Sequence, residues 1–196
     1  MDTKKATIRF IILIPHRDAG NHLEEYRQKL FSCGVPGAHS FPAAAPLAEV
    51  FQPFDREEFK ELAQNIRRLS LEKDGKIRCS LANTIVKTGQ MSFFGPALDI
   101  SIAEDTFPAT ARRKITQILS PPVLCAALIG GRDTDKKADL TEYTQIPAIA
   151  FRAASLANLT IRPLAVEPDY SMDYSMDYSY EWMTGPPVWL PAFKKA

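Results

Sequence analysis

Few side chains in this sequence have the chemistry of a catalyst, and they are scattered. The histidines are His16, His22 and His39, all in the first quarter of the chain, and the cysteines are Cys33, Cys79 and Cys125. Imidazole is the side chain that ordinarily exchanges protons near neutral pH, so acid–base chemistry would be sought at a histidine first. His39 is the best placed. It stands beside Ser40 in the stretch GAHSFPAAAPLAEV, from Gly37 to Val50, between two helical patterns. An exposed or capping loop histidine is the plainer reading. His16 follows a strand pattern and His22 opens a helical one, so both read as solvent-facing.

A thiol becomes a nucleophile when a base or a positive field lowers its pKa. Cys125 lies in the apolar run VLCAALI with no base near it in sequence, and reads as inert and buried. The cysteines are odd in number and widely spaced, with no CxxC pair and no histidine at ligand spacing. Reduced thiols are expected, without a disulfide framework or a metal site. Arg152 and Arg162 stand in a strand-like stretch and could bind an anion, although solvent-facing strand positions are the commoner home for arginine. Arg67-Arg68 and Arg112-Arg113-Lys114 read as solvated helix faces. Gly130-Gly131-Arg132 is not followed by a phosphate-loop pattern, and no GxSxG or HExxH occurs. No cofactor is implied.

The elements that must position these residues follow from apolar spacing. TIRFIILIP, Thr7 to Pro15, is β-branched and aromatic and predicts a central buried strand. Asn21 with Glu24 predicts a capped helix whose inner face is Leu23, Tyr26, Leu30 and Phe31. Asp55 predicts the cap of a second helix, with Phe59, Leu62, Ala63, Ile66 and Leu69 inward and Lys73-Asp74-Gly75 closing it. Lys76 to Lys87 reads as strand, with Cys79, Leu81, Ile85 and Val86 as its apolar residues. MSFF and ALDISI read as two short strands joined by a turn at Gly95-Pro96. A third helix is expected from about Phe107 to Leu119, and a second buried strand from Val123 to Ile129. Arg132 to Gln145 reads as a polar loop, Ile149 to Leu164 as a long strand, and YEWMTGPPVWL as a closing hairpin or edge strand. Residues 168–178 hold a repeated YSMD, read as a duplicated surface loop; a tyrosine-rich binding strip is the alternative.

Length and composition set the frame. A chain of 196 residues suits one large domain or two small lobes sharing a core, and 15 prolines suit many short elements and tight corners. A net charge of +1 argues against a protein devoted to gripping a phosphate backbone. No stretch approaches the ~20 apolar residues of a membrane span, and the N-terminal apolar run is too short for a signal peptide. A cytoplasmic protein of bacterial type is the expectation. Strands joined by short turns favour α+β with antiparallel sheets over a doubly wound parallel sheet.

This order resembles the two-histidine phosphoesterase superfamily, the LigT-like or RNA-ligase-like cyclic phosphodiesterases. IRFIILIP is similar to the family's opening RLFIAIP strand, and Leu47-Ala48-Glu49-Val50 to the LGEV that ends its HxTLxFLGEV motif. VLCAALIGG is similar in place to the second PHxTLAR strand, and AASLANLTIRPL and YEWMTGPPVWLP to its closing segments. The resemblance implies a single bilobal domain, 1–196, with two pseudo-symmetric lobes, antiparallel sheets around a central cleft, helices outside, and one His-x-Thr motif from each lobe. It puts Phe41 and Cys125 where the two histidines belong, and Ala43 and Ala127 where the hydroxyls belong. Phenylalanine and alanine can neither move a proton nor hold a phosphate oxygen.

A catalytically degenerate member of the family is therefore expected, binding a small anion, an RNA end, a nucleotide or a protein partner in the former cleft. A working phosphodiesterase for cyclic phosphates, using His39 with an unrecognised second catalytic group, stays open, because a register slip of two residues would keep His39 on the face of a strand. A structural or assembly scaffold is the third reading.

Overall fold

Ala6–Pro15 forms β1, and its alternating side chains divide the interior in two. Phe10 and Ile12 point into one apolar cluster, Ile11 and Leu13 into another, and all four are buried. A β-branched and aromatic run buried on both faces is what a central strand requires. The computed structural model describes residues 6–33, 35–71, 76–88, 91–102, 106–130, 148–163 and 178–189. Lys73-Asp74-Gly75, the Arg132–Gln145 loop and the YSMD repeat lie outside these residues, apart from Tyr178.

After β1 come α1 (Arg17–Ser32), a 3-10 turn (Pro36–His39), β2 (Ala45–Val50), α2 (Arg56–Leu71), β3 (Ile77–Thr88) and β4 (Met91–Leu98). They are followed by a single turn α3 (Ala109–Arg112), then β5 (Ile115–Ile118), β6 (Ala127–Gly130), β7 (Ala148–Ile149), β8 (Phe151–Pro163), β9 (Tyr178–Thr184) and β10 (Val188–Trp189). One sheet has the order β10-β8-β1-β2-β5, with β9 also on β8; the other has the order β6-β4-β3-β7. The named strand pairs are antiparallel. The fold class is α+β with antiparallel sheets, as the segment order predicts. No helix among the described residues is long and apolar enough to cross a membrane.

The cluster on the Phe10 side joins the two sheets. The first contributes Phe10, Ile12, Ala157, Leu159 and Ile161, and the second contributes Val86, Met91, Phe93 and Leu128. Along one side the sheets are also tied by polar bonds. Thr88 Oγ1 donates to Glu49 Oε2 at 2.6 Å, and Gln117 Nε2 donates to the Lys87 carbonyl at 3.2 Å. The helices contribute to the other cluster through Leu23, Tyr26 and Leu30 of α1 and Phe59, Leu62, Ala63 and Ile66 of α2.

Asp55 caps α2 as its sequence predicts: Oδ1 accepts from the amides of Glu57 at 2.9 Å and Glu58 at 2.8 Å, while Glu58 Oε2 accepts from the Asp55 amide at 2.9 Å. Other expectations are corrected. The first helix starts at Arg17, not at Asn21, and Glu24 serves other partners. Its inner face holds Arg27 in place of Phe31, which is exposed. In β3, Ile85 is exposed whereas Cys79 and Val86 are buried.

Gly95-Pro96 is no turn but the middle of one strand, β4. A Cβ on Gly95 would lie 1.9 Å from the Leu124 carbonyl oxygen, so the glycine permits close backbone approach. Pro96 sits opposite Asn83, where the β3–β4 register shifts, the kind of irregularity that admits proline in a sheet. The third helix is one turn, and Ile115–Ile118 instead pairs with the edge of β2. The Val123–Ile129 stretch is strand only from Ala127, with one bridge from Val123 to Ala97. β9 and β10 do not pair with each other as a hairpin. Both lie on the same edge of β8, broken at residues 185–187.

Candidate functional site

The two stretches that carry the motif positions meet. The segment 119–130 runs between the two sheets and is bonded to both: Leu98 N donates to Pro122 O at 2.8 Å and Leu124 N to Pro96 O at 2.9 Å on the β4 side. On the other side Leu119 N donates to Leu47 O at 2.9 Å and Cys125 N to Ala44 O at 2.9 Å, and Ala126 N returns to β4 by donating to Phe94 O at 2.8 Å. From the other stretch, Gly37 lies so close to β6 that a Cβ there would be 1.7 Å from the Leu128 carbonyl oxygen.

Phe41 and Cys125 enter the cluster between the sheets, each 1% exposed. Phe41 completes a set of three edge-on rings. Its centroid is 4.9 Å from that of Phe93 and 5.9 Å from that of Phe10, and Phe10 and Phe93 are 5.2 Å apart. Such contacts add to the stabilisation from area burial. Cys125 Sγ donates to the Ala127 carbonyl at 3.5 Å. Burial pushes its thiol up to about 12, with the smaller influence of the Arg27 charge acting in the opposite direction. A thiol so held is neither a nucleophile nor an acid–base group at neutral pH. Ala43 and Ala127 pack with the other cluster, so neither pair of motif positions shares one face.

His39 does not meet Cys125. It sits in the 3-10 turn, not on a strand, so a two-residue slip does not bring it onto the face of Phe41. Its Nδ1 lies 3.1 Å from Glu24 Oε1 and its ring 5.5 Å from that of Phe31, with the side chain 41% exposed. His16 and His22 are solvent-facing, as expected. Arg152 is exposed near the start of β8, and Arg162 is near the end of that strand, paired through its backbone with Ser179. A rise of about 3.3 Å per residue separates their backbones by roughly 33 Å, so they do not form one anion site. Lys114 is not a solvated helix charge: its Nζ lies 2.5 Å from Glu58 Oε2 and 5.5 Å from the Phe54 ring centroid. Among the described residues no group of His, Cys, Asp and Glu could hold a metal ion.

Arg27 is the charged group that the sequence reading missed. It is 4% exposed, and its guanidinium donates to the carbonyls of Ala38 and Phe41 and, at 3.2 Å, to Glu24 Oε2. Its spacing from Leu23 and Leu30 puts it on the apolar face of α1, which is the signal that could have found it. Glu24 thus joins Arg27 to His39. These groups fix the loop over Phe10 and Phe93 and leave no proton-transfer pair at the motif positions.

A scan against protein-family models finds no match, and comparisons with curated proteins and with solved structures find no significant one.

Proposed function

We propose that this chain is a non-catalytic protein of the two-histidine phosphoesterase type, acting through binding. The observation that carries the reading is the burial of Phe41 and Cys125 in one apolar cluster, where the family would hold its two histidines. Ala43 and Ala127 provide no hydroxyl for a phosphate, and the nearby guanidinium of Arg27 is engaged by two carbonyls and Glu24. This chemistry favours a protein partner at the outer surface over a small anion or an RNA end held between the sheets. Trp182 and Met183 on β9, 43% and 66% exposed, are side chains of the kind enriched at protein interfaces.

One observation favours a second reading. The His39–Glu24 pair has the form of an oriented general base. The two readings part in one experiment. Purified protein is incubated with a panel of nucleoside 2′,3′-cyclic phosphates, and its melting temperature is followed with the same compounds and with short RNAs. The binding-protein reading expects no ring opening and no shift. Turnover that His39→Ala abolishes would establish the phosphodiesterase instead.

A further inference from the structure

The strap from Val35 to Ala44 links α1 to β2 and holds little regular structure. Two of its internal backbone bonds are long, Ala38 N to Val35 O and Ser40 N to Gly37 O, both 3.2 Å. Its ends are pinned more firmly, by Val35 N to Leu30 O at 3.0 Å and by Cys125 N to Ala44 O at 2.9 Å. Between the pins Arg27 reaches from α1 to hold the carbonyls of Ala38 and Phe41, and Glu24 holds His39. The strap's large contribution to the cluster between the sheets is Phe41. None of the sheet ladders runs through it.

We propose that this strap is a lid latched by Arg27, which lifts as a unit to open the space between the sheets while both sheets stay folded. Besides Arg27, Phe41 and a few backbone bonds, the strap is held by fully buried Ala38, by Ala44 and by Gly37 against Leu128, all small contacts, and a segment outside the sheet ladders opens at lower free energy than the core strands around it. Losing Arg27 strips two carbonyls and the Glu24 carboxylate of a charged donor at once. The lid concerns the chain's own motion and stands whether or not a partner is found.

The cysteines report on it. Cys33 is exposed, Cys79 is buried in β3 opposite Leu98, and Cys125 is buried beneath the strap. Burial pushes both buried thiols up to about 12, so each reacts with an alkylating reagent only when exposed. The test follows alkylation of each cysteine by mass spectrometry in the native protein, over urea concentrations below the unfolding transition. Cys125 should react at a rate that barely depends on urea, while Cys79 should follow global unfolding with a steep dependence. Arg27→Met should accelerate Cys125 roughly tenfold, the equivalent of one charge-assisted hydrogen bond, and Cys79 by no more than that, because the latch is lost in the lid-open and the unfolded states alike. The same urea dependence for Cys79 and Cys125 in the wild type would overturn the lid. No acceleration of Cys125 by Arg27→Met, or a larger acceleration of Cys79 than of Cys125, would overturn the latch. If Arg27→Met does not fold, the wild-type urea series still decides whether the strap opens alone.

Discussion

The amide of Cys125 donates to the carbonyl of Ala44 at 2.9 Å, so the two stretches that would face each other across a catalytic cleft are joined backbone to backbone. Gly37 against Leu128 is a second joint between them. Phe41 closes the space left between, against Phe10 and Phe93.

The joints require glycine. A methyl group on Gly37 or Gly95 would meet a backbone carbonyl oxygen, at 1.7 Å and 1.9 Å, which no rotamer change relieves. Gly37→Ala and Gly95→Ala should each lower stability by about 1–3 kcal/mol in urea titrations. Gly20→Ala is the contrast. Its nearest neighbour would be Pro15 Cγ at 3.9 Å and it lies in α1, so the substitution should stabilise by about 0.5–1 kcal/mol.

The aromatic cluster is core and not decoration. Phe93 is fully buried between two other rings, and Phe93→Ala should cost about 3–5 kcal/mol. Phe31 is 56% exposed, and Phe31→Ala should change stability by less than about 1 kcal/mol. Denaturant midpoints of the two variants check the contrast.

Placing histidine at both positions should not create chemistry. Phe41→His with Cys125→His would bury two imidazoles among apolar side chains, at a cost of about 1–3 kcal/mol for each polar group left without a partner. The double variant should be less stable than wild type and should open no cyclic phosphate. Turnover by it would mean that the space between the sheets admits substrate.

Acid should loosen the Glu58–Lys114 tie. The Lys114 ammonium, and next the Asp55 amide, hold the Glu58 carboxyl below its usual range. A carboxyl whose folded pKa lies below its unfolded value stabilises the fold above the unfolded pKa, and that stability is lost as pH falls through the folded value. Wild type should therefore lose more stability than Glu58→Gln between about pH 5 and pH 3, as read from melting temperatures across that range. Equal losses would mean that the pair contributes nothing.

The fold was legible where local pattern and tertiary demand agree. Thr7 to Pro15 is apolar on both faces and becomes the central strand, and Asp55 with Glu58 writes its own helix start. Ile115 to Ile118 misled because its spacing from Ala111 suits a helix, yet its β-branched residues pair with the free edge of β2. Gly95-Pro96 misled because the glycine answers a close approach by Leu124 and the proline a register shift with Asn83, and both causes lie far away in sequence. At the candidate site, the absence of histidine and of a hydroxyl at the positions the resemblance singles out was plain in Phe41, Ala43, Cys125 and Ala127. That Phe41 packs against Phe10 and Phe93, and that Arg27 holds its carbonyl, depend on chain crossings that no local pattern records.

Burial of Phe41 between the sheets is tested most directly by aromatic nuclear Overhauser contacts in the folded protein. Ring centroids 4.9 Å and 5.9 Å apart should give contacts from the Phe41 ring to both Phe93 and Phe10, with ring-current-shifted Phe41 resonances. Phe41 resonances near random-coil positions, without contacts to either ring, would mean an open cleft and contradict a sealed, non-catalytic interior.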